Sequence, residues 1–279
     1  MNFINLVNSA DEAVKNKEFQ LAIKLLKNAF EINPKSFEVC SKLGILTFQL
    51  GKFKDSINYF KKTTLIDHTS TLGYSNLGLI YNQLNNKELA LKNYLKALEI
   101  NPKNFLINYN LANFFFSNND DENAEKYYLL SIELNSEHFY SYNNLFELYD
   151  RTNNLNKLEK TFTIISKKFA PSPEINFLEG ILQFKKKNYE RVIELFKNLN
   201  IDKKNFQKNI LRANLLAKSY DHIGLYNQAY EFYLLSNKII QNSFQGKFDK
   251  NKFNNLISKR LNFVSKINNE LNTKKEILD

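Results

Sequence analysis

Residues 72–102 read LGYSNLGLIYNQLNNKELALKNYLKALEINP. Within this stretch, aromatic, large and small side chains follow one another at set intervals: Tyr74, Leu77, Gly78, Tyr81, Ala90, Tyr94, Ala97 and Pro102. The same intervals recur every 34 residues along most of the chain. A period of this length is typical of repeats that cannot bury their own apolar face and become stable by stacking. The spacing predicts one helix-turn-helix unit per period.

The 34-residue register continues through six units and then slips. Asp202–Phe206 absorbs a shift of three residues, and a seventh unit begins near Ile210. Gly51 and Gly224 are expected in turns between paired helices, where a positive φ is helpful. The fifth unit has Leu158 where the first, third and fourth units have Ala22, Ala90 and Ala124, so it is expected to pack most loosely. The first six units start at Phe3, Phe37, Thr71, Phe105, Phe139 and Pro173.

This pattern resembles the tetratricopeptide repeat. The resemblance implies an all-α, right-handed α-α superhelix of about seven helix-turn-helix repeats. We expect residues 1–240 to form this array and residues 241–279 to form a linker and a last helix. Asp249 is a plausible N-cap for that helix, and apolar residues from Phe253 to Leu271 recur at steps of three and four. The helix either caps the solenoid or docks another domain or subunit.

The composition restricts the class of protein. Seven glycines and four prolines in 279 residues favour helices with short turns over a strand-rich fold. No run approaches the roughly 18 apolar residues of a membrane span, and the N-terminus has no secretory-signal pattern, so we expect a cytoplasmic protein. Cys40 is expected to be a small core residue.

One position on the predicted first helices carries asparagine in four units: Asn8, Asn76, Asn110 and Asn144, with Lys42 in the second unit. This row is similar to the asparagine ladder of O-linked N-acetylglucosamine transferases. The resemblance implies a concave groove in which side-chain amides bind the backbone of an extended peptide. The abundance of asparagine throughout the chain is the alternative explanation. Further groove residues are expected at Asn82, Tyr109, Asn113, Asn143 and Glu147.

Two other ligand classes fit less well. The two-carboxylate clamp of tetratricopeptide proteins that bind chaperone tails has lysine and asparagine in the first unit and lysine and arginine in the third. This chain offers Val7 and Asp11 in the first unit and Ser75 and Leu79 in the third, so the cations are missing. The net charge of +10 is consistent with nucleic acid or an acidic protein. Its lysine clusters fall at predicted helix ends and turns, however, which favours an ordinary solvated surface.

The sequence indicates no catalytic, metal-binding or cofactor-binding constellation. The three histidines lie in different units, and the scattered glycines build no phosphate-binding loop. Residues 226–238, with Phe248-Asp249 and the helix predicted after them, resemble the end of the repeat region in bacterial tetratricopeptide sulfotransferases. The catalytic domain of those enzymes is not in this sequence. The sequence therefore predicts a protein-binding scaffold, and the alternative is the substrate-recruiting part of a transferase.

Overall fold

The computed structural model describes residues 1–243, and all regular secondary structure in this range is α-helical. The described residues form two compact units, one ending at Ala170 and the other starting at Pro171. The expected last helix lies outside the described residues.

The first unit consists of five helical hairpins. Each helix packs against the next in sequence, and the first helices of the third, fourth and fifth hairpins also contact one another in order. Such nearest-neighbour contact is how a repeat array builds a continuous core. The helices are α1 Phe3–Lys15, α2 Phe19–Ile32, α3 Phe37–Gln49, α4 Phe53–Ile66, α5 Thr71–Gln83, α6 Lys87–Ile100, α7 Phe105–Ser117, α8 Asp121–Leu134, α9 Phe139–Arg151 and α10 Leu155–Lys168.

The second unit consists of two hairpins: α11 Pro173–Lys185, α12 Tyr189–Lys197, α13 Phe206–His222 and α14 Tyr226–Ser243. The shift in register lies between them. Helix α12 has 9 residues, whereas the second helices of the first unit have 14. Helix α13 has 17 residues and begins at Phe206, four residues before the Ile210 start read from the sequence. Asn205 sets this earlier start, because its side chain accepts a hydrogen bond from the Lys208 amide as an N-cap.

The turn within every hairpin contains one residue with positive φ. The prediction for Gly51 and Gly224 is confirmed, with φ of 70° and 79°. In the second hairpin the amide of Lys52 donates to the carbonyl oxygen of Thr47, closing the turn as in a Schellman motif. Non-glycine residues take this conformation in the other turns: Lys17, Asn85, Asn119, Asn153 and Lys187.

Small residues let the paired helices approach closely. A Cβ atom added to Gly78 would lie 2.7 Å from the ring of Tyr94, and one added to Gly44 would lie 2.8 Å from Phe60. Neither ring can yield easily, because both are fully buried. Cys40 is also buried, which confirms its assignment to the core, and burial raises the pKa of its thiol.

The fifth hairpin uses larger residues at the same positions. Phe146 stands where the third hairpin has Gly78, and Leu158 stands where it has Ala90; both are fully buried. Their bulk occupies the space between α9 and α10 that small residues leave free elsewhere. A cavity of about 270 Å³ lies nearby, lined by residues of α8, α9 and α10 that include Leu129, Tyr149 and Ile164.

Candidate functional site

The nine predicted groove residues all lie on first helices of the first unit. Asn8 is on α1, Asn76 and Asn82 are on α5, and the others are on α7 and α9: Tyr109, Asn110, Asn113, Asn143, Asn144 and Glu147. None of the nine is buried. Because α5 contacts α7 and α7 contacts α9, the residues on these three helices form a continuous surface.

Three rows of side chains run across these helices at 34-residue intervals. The rows occupy positions i, i+4 and i+7 of each first helix, which share one face. We call the surface they form the first-helix surface, and none of its members is buried. The apolar row is Ile4, Glu38, Leu72, Leu106 and Tyr140; the amide row is Asn8, Lys42, Asn76, Asn110 and Asn144; the third row is Asp11, Ile45, Leu79, Asn113 and Glu147.

Asn144 is the centre of a hydrogen-bond network between α7 and α9. Its Nδ2 donates to the hydroxyl of Tyr109 at 3.1 Å and to Oδ1 of Asn113 at 2.8 Å. Its Oδ1 accepts from Nδ2 of Asn143 at 3.0 Å. An asparagine side chain has two N–H donors, so both donors of Asn144 are in use. This amide therefore holds its neighbours in place.

The network also reaches the core through Tyr128 on α8. The Tyr128 hydroxyl donates to Oδ1 of Asn113 at 2.7 Å, so that oxygen accepts two hydrogen bonds. Burial raises the pKa of the Tyr128 phenol well above its usual range, which keeps it protonated as a donor. At the other edge, Nδ2 of Asn143 donates to Glu147 at 3.0 Å. The orientation of Asn113 is thereby set, with its own amide N–H groups directed away from these partners.

The remaining ladder asparagines are less engaged. Nδ2 of Asn76 donates to the carbonyl oxygen of Leu72, one turn earlier in α5, at 2.9 Å. That bond uses one of its two N–H donors. Within residues 1–243, no side-chain hydrogen bond joins Asn8, Asn82 or Asn110 to a neighbour. The third and fourth hairpins therefore present amide donors that the fold does not use.

Lys42 interrupts the ladder with an ionic group. Its Nζ lies 2.7 Å from Asp11 on α1 and 2.7 Å from Glu38 on α3. The group joins the first two hairpins on the surface where later hairpins carry amides and apolar side chains. Exposed pairs of this kind contribute little to stability. The first two hairpins thus carry an ionic group at the positions where the third to fifth hairpins carry amides.

Comparison with known proteins identifies the repeats. Two family models described as tetratricopeptide repeat match residues 72–104 and 93–126. The chain has the tetratricopeptide-repeat fold. It is similar to a tetratricopeptide repeat protein from Parabacteroides merdae ATCC 43184, with a TM-score of 0.61 and 18% identity over 78% of this chain and 84% of that one.

Two further solved structures share this fold. PilW, a widely conserved type IV pilus biogenesis factor, matches with a TM-score of 0.62 and 16% identity over 74% of this chain and 94% of that one. MamA matches with a TM-score of 0.54 and 21% identity over 61% of this chain and 98% of that one. A search of curated proteins finds no significant match.

His138 lies beside the first-helix surface, although the sequence interpretation did not include it. It precedes α9 at the place where Ser36, Ser70 and Asn104 cap the earlier first helices. Its Nδ1 instead lies 2.8 Å from the hydroxyl of Ser141, and its ring is 4.9 Å from that of Tyr109. Burial lowers the pKa of His138 and favours the neutral ring. The sequence offered one signal for this role, namely a histidine at the position where the preceding repeats have residues that cap the first helix.

The first 243 residues show neither a group of three or more side chains able to hold a metal ion nor a helix long and apolar enough to cross a membrane. The basic residues Lys185–Lys187 lie at the end of α11 and in the turn after it, and Lys203 and Lys204 lie between α12 and α13. The cluster at residues 247–252 lies beyond the described part of the chain.

Proposed function

We propose that this protein is a scaffold whose first-helix surface binds an extended segment of a partner protein. The observation that carries the proposal is the row of partly exposed amides on the consecutive first helices α5, α7 and α9, with N–H donors left over at Asn76 and Asn110. An extended peptide has unpaired carbonyl oxygens along its length, and amides at a regular interval can donate to them. Such contacts hold a backbone without depending on its side chains.

The asparagines of the first-helix surface have two different tasks in this proposal. Asn76, Asn110 and Asn113 supply donors to the peptide. Asn144 positions Tyr109 and Asn113, because both of its own donors are committed to them. The exposed residues Asn8 and Glu147 and the partly buried Asn82 and Asn143 extend the polar surface around this centre.

The proposed partner is a protein or peptide, and the proposed cellular location is the cytoplasm. The surface needs no cofactor for this task. The sequence also suggested the substrate-recruiting region of a sulfotransferase-type enzyme. The comparisons above supply no link to that enzyme class, so the scaffold is the function that we propose.

Selection of random linear peptides tests the proposal. Twelve-residue peptides displayed on messenger RNA are panned against the full chain, and the dissociation constants of enriched peptides are measured by fluorescence anisotropy. Two lost hydrogen bonds of about 0.5–1.5 kcal/mol each predict that the double variant Asn76→Ala with Asn110→Ala weakens binding about tenfold or more. We expect Asn144→Ala to weaken binding as well, since it releases the amide of Asn113.

The matched control replaces two exposed asparagines on second helices, Asn28→Ala on α2 with Asn58→Ala on α4. This pair should leave the affinity unchanged. Equal losses in both double variants, or undiminished binding by the Asn76 and Asn110 variant, would contradict a backbone-binding ladder. Circular dichroism spectra verify that each variant keeps its helical content.

A further inference from the structure

The apolar row of the first-helix surface is exposed to solvent on three consecutive first helices. Leu72, Leu106 and Tyr140 begin the exposed faces of α5, α7 and α9, and their residue exposures are 39%, 47% and 62%. Each lies one turn before a ladder asparagine, namely Asn76, Asn110 and Asn144. Apolar side chains aligned on adjacent helices and left in contact with water mark an interaction surface.

The distance between successive first helices, and so between neighbouring members of one row, selects the conformation of a ligand. Packed helices lie about 8–10 Å apart, and α5, α7 and α9 are in contact in that order. A polyproline II chain returns to the same face every three residues, or about 9.3 Å. A β-strand does so every two residues, or about 6.7 Å, and falls out of step by the third helix. Polyproline II therefore matches the repeat.

The hydrogen-bond donors favour the same conformation. A polyproline II chain makes no internal hydrogen bonds, so its carbonyl oxygens are free to accept from side-chain amides. A helical ligand would have used those oxygens internally. Asn76 and Asn110 each retain at least one N–H donor beside the apolar row. An α-helix could match the apolar residues, but it would leave these donors without acceptors.

We infer that the ligand is a proline-rich segment in polyproline II conformation with an apolar residue at every third position. The inference rests on the proposed function and specifies its ligand. The apolar side chains contact Leu72, Leu106 and Tyr140, and the intervening carbonyl oxygens accept from Asn76 and Asn110. Contacts at three successive first helices correspond to a core of about nine residues.

Charge and aromatic groups limit this footprint at both ends. At α3 the apolar row is interrupted by Glu38, which is ion-paired with Lys42. At α9 the row ends in Tyr140. The ring of His138 lies 5.8 Å from that of Tyr140 and 4.9 Å from that of Tyr109, so the three side chains form an aromatic group. Aromatic surfaces of this kind are where proline rings dock in polyproline II recognition.

Two synthetic peptides of identical composition test the inference. The first contains three copies of Leu-Pro-Ser, which places leucine at every third position. The second, Leu-Pro-Leu-Ser-Leu-Ser-Pro-Ser-Pro, places leucine at every second position. Both carry fluorescein and Gly-Gly flanks, and anisotropy measures their binding to the full chain. We expect the first peptide to bind at least about tenfold more tightly, since burial of matched leucines is lost in the second.

A pair of leucine variants supplies the control. Leu106→Gln on α7 should weaken binding of the first peptide about tenfold or more. Leu129→Gln on α8 removes a leucine of the same 47% exposure from the other helix of that hairpin and should change nothing. Equal losses in the two variants would overturn the inference.

The outcomes separate this inference from the proposed function. If both peptides bind equally and the Asn76 and Asn110 double variant weakens both, the scaffold stands and the three-residue period is wrong. If the first peptide fails to bind while displayed peptides without that period bind the ladder, the inference is again overturned and the scaffold stands. If no linear peptide depends on the ladder, both are overturned.

Discussion

Lys17 and Lys187 have φ of 63° and 61°, in the left-handed region where a side chain is costly. Their counterparts in other turns are glycine or asparagine, which tolerate this conformation. We expect Lys17→Gly to raise the free energy of unfolding by about 0.5–1 kcal/mol. Denaturation in urea measures it. Lys24→Gly, inside α2, is the control and should lower stability by about 1 kcal/mol. A loss of stability in both variants would contradict the role assigned to the turn.

At this scale, the nine groove residues expected from the sequence lie on first helices and none of them is buried, but the sequence did not indicate how they are bonded. The 34-residue register places Asn113 and Asn144 on neighbouring helices. It does not determine that Asn144 donates twice while Asn110 remains without a bonded neighbour, because these choices depend on side-chain rotamers and on the hydroxyls of Tyr109 and Tyr128. A tyrosine fifteen residues after an asparagine, as in Tyr128 and Asn113, was the signal available for part of the network.

The α9–α10 hairpin offers a test at the scale of the element. Restoring the repeat's usual alanine by Leu158→Ala is expected to destabilise the protein by about 2–4 kcal/mol, because Phe146 prevents the helices from closing the void. The unfolding free energy measured in urea decides this. Thr163→Ala, an exposed site on the same helix, should change it by less than about 0.5 kcal/mol. Increased stability of Leu158→Ala would mean that α10 can move toward α9.

The pairing and spacing of elements were largely predictable. Periodic small and aromatic residues fix a hairpin because Gly78 and Tyr94 must meet face to face. The predicted start of α13, near Ile210, was four residues too late. The observed start depends on the Asn205 cap and on the shortened α12, and not on the repeat pattern. Caps are local choices that a 34-residue template does not contain.

At the scale of the whole molecule, the net charge of +10 has a limited role in the proposed binding. The amides and apolar residues of the first-helix surface are uncharged, so affinity for a peptide without charged side chains should change less than about twofold between about 50 and 200 mM salt. A ligand held by six phosphate contacts would lose about a thousandfold over that range. Isothermal titration at both salt concentrations distinguishes these cases. A steep decrease would favour an acidic ligand.

Because Cys40 is buried, the rate at which its thiol reacts can be used to measure opening of the second hairpin. It is the chain's only cysteine, it has no exposed surface, and its Sγ lies 3.8 Å from the carbonyl oxygen of Pro34. A thiol-reactive dye can therefore label it only while α3 is separated from its neighbours. The labelling rate then reports how often the second hairpin opens. A ligand lying across α3 would slow that rate, whereas one confined to α5, α7 and α9 would affect it only through the stacking of adjacent hairpins.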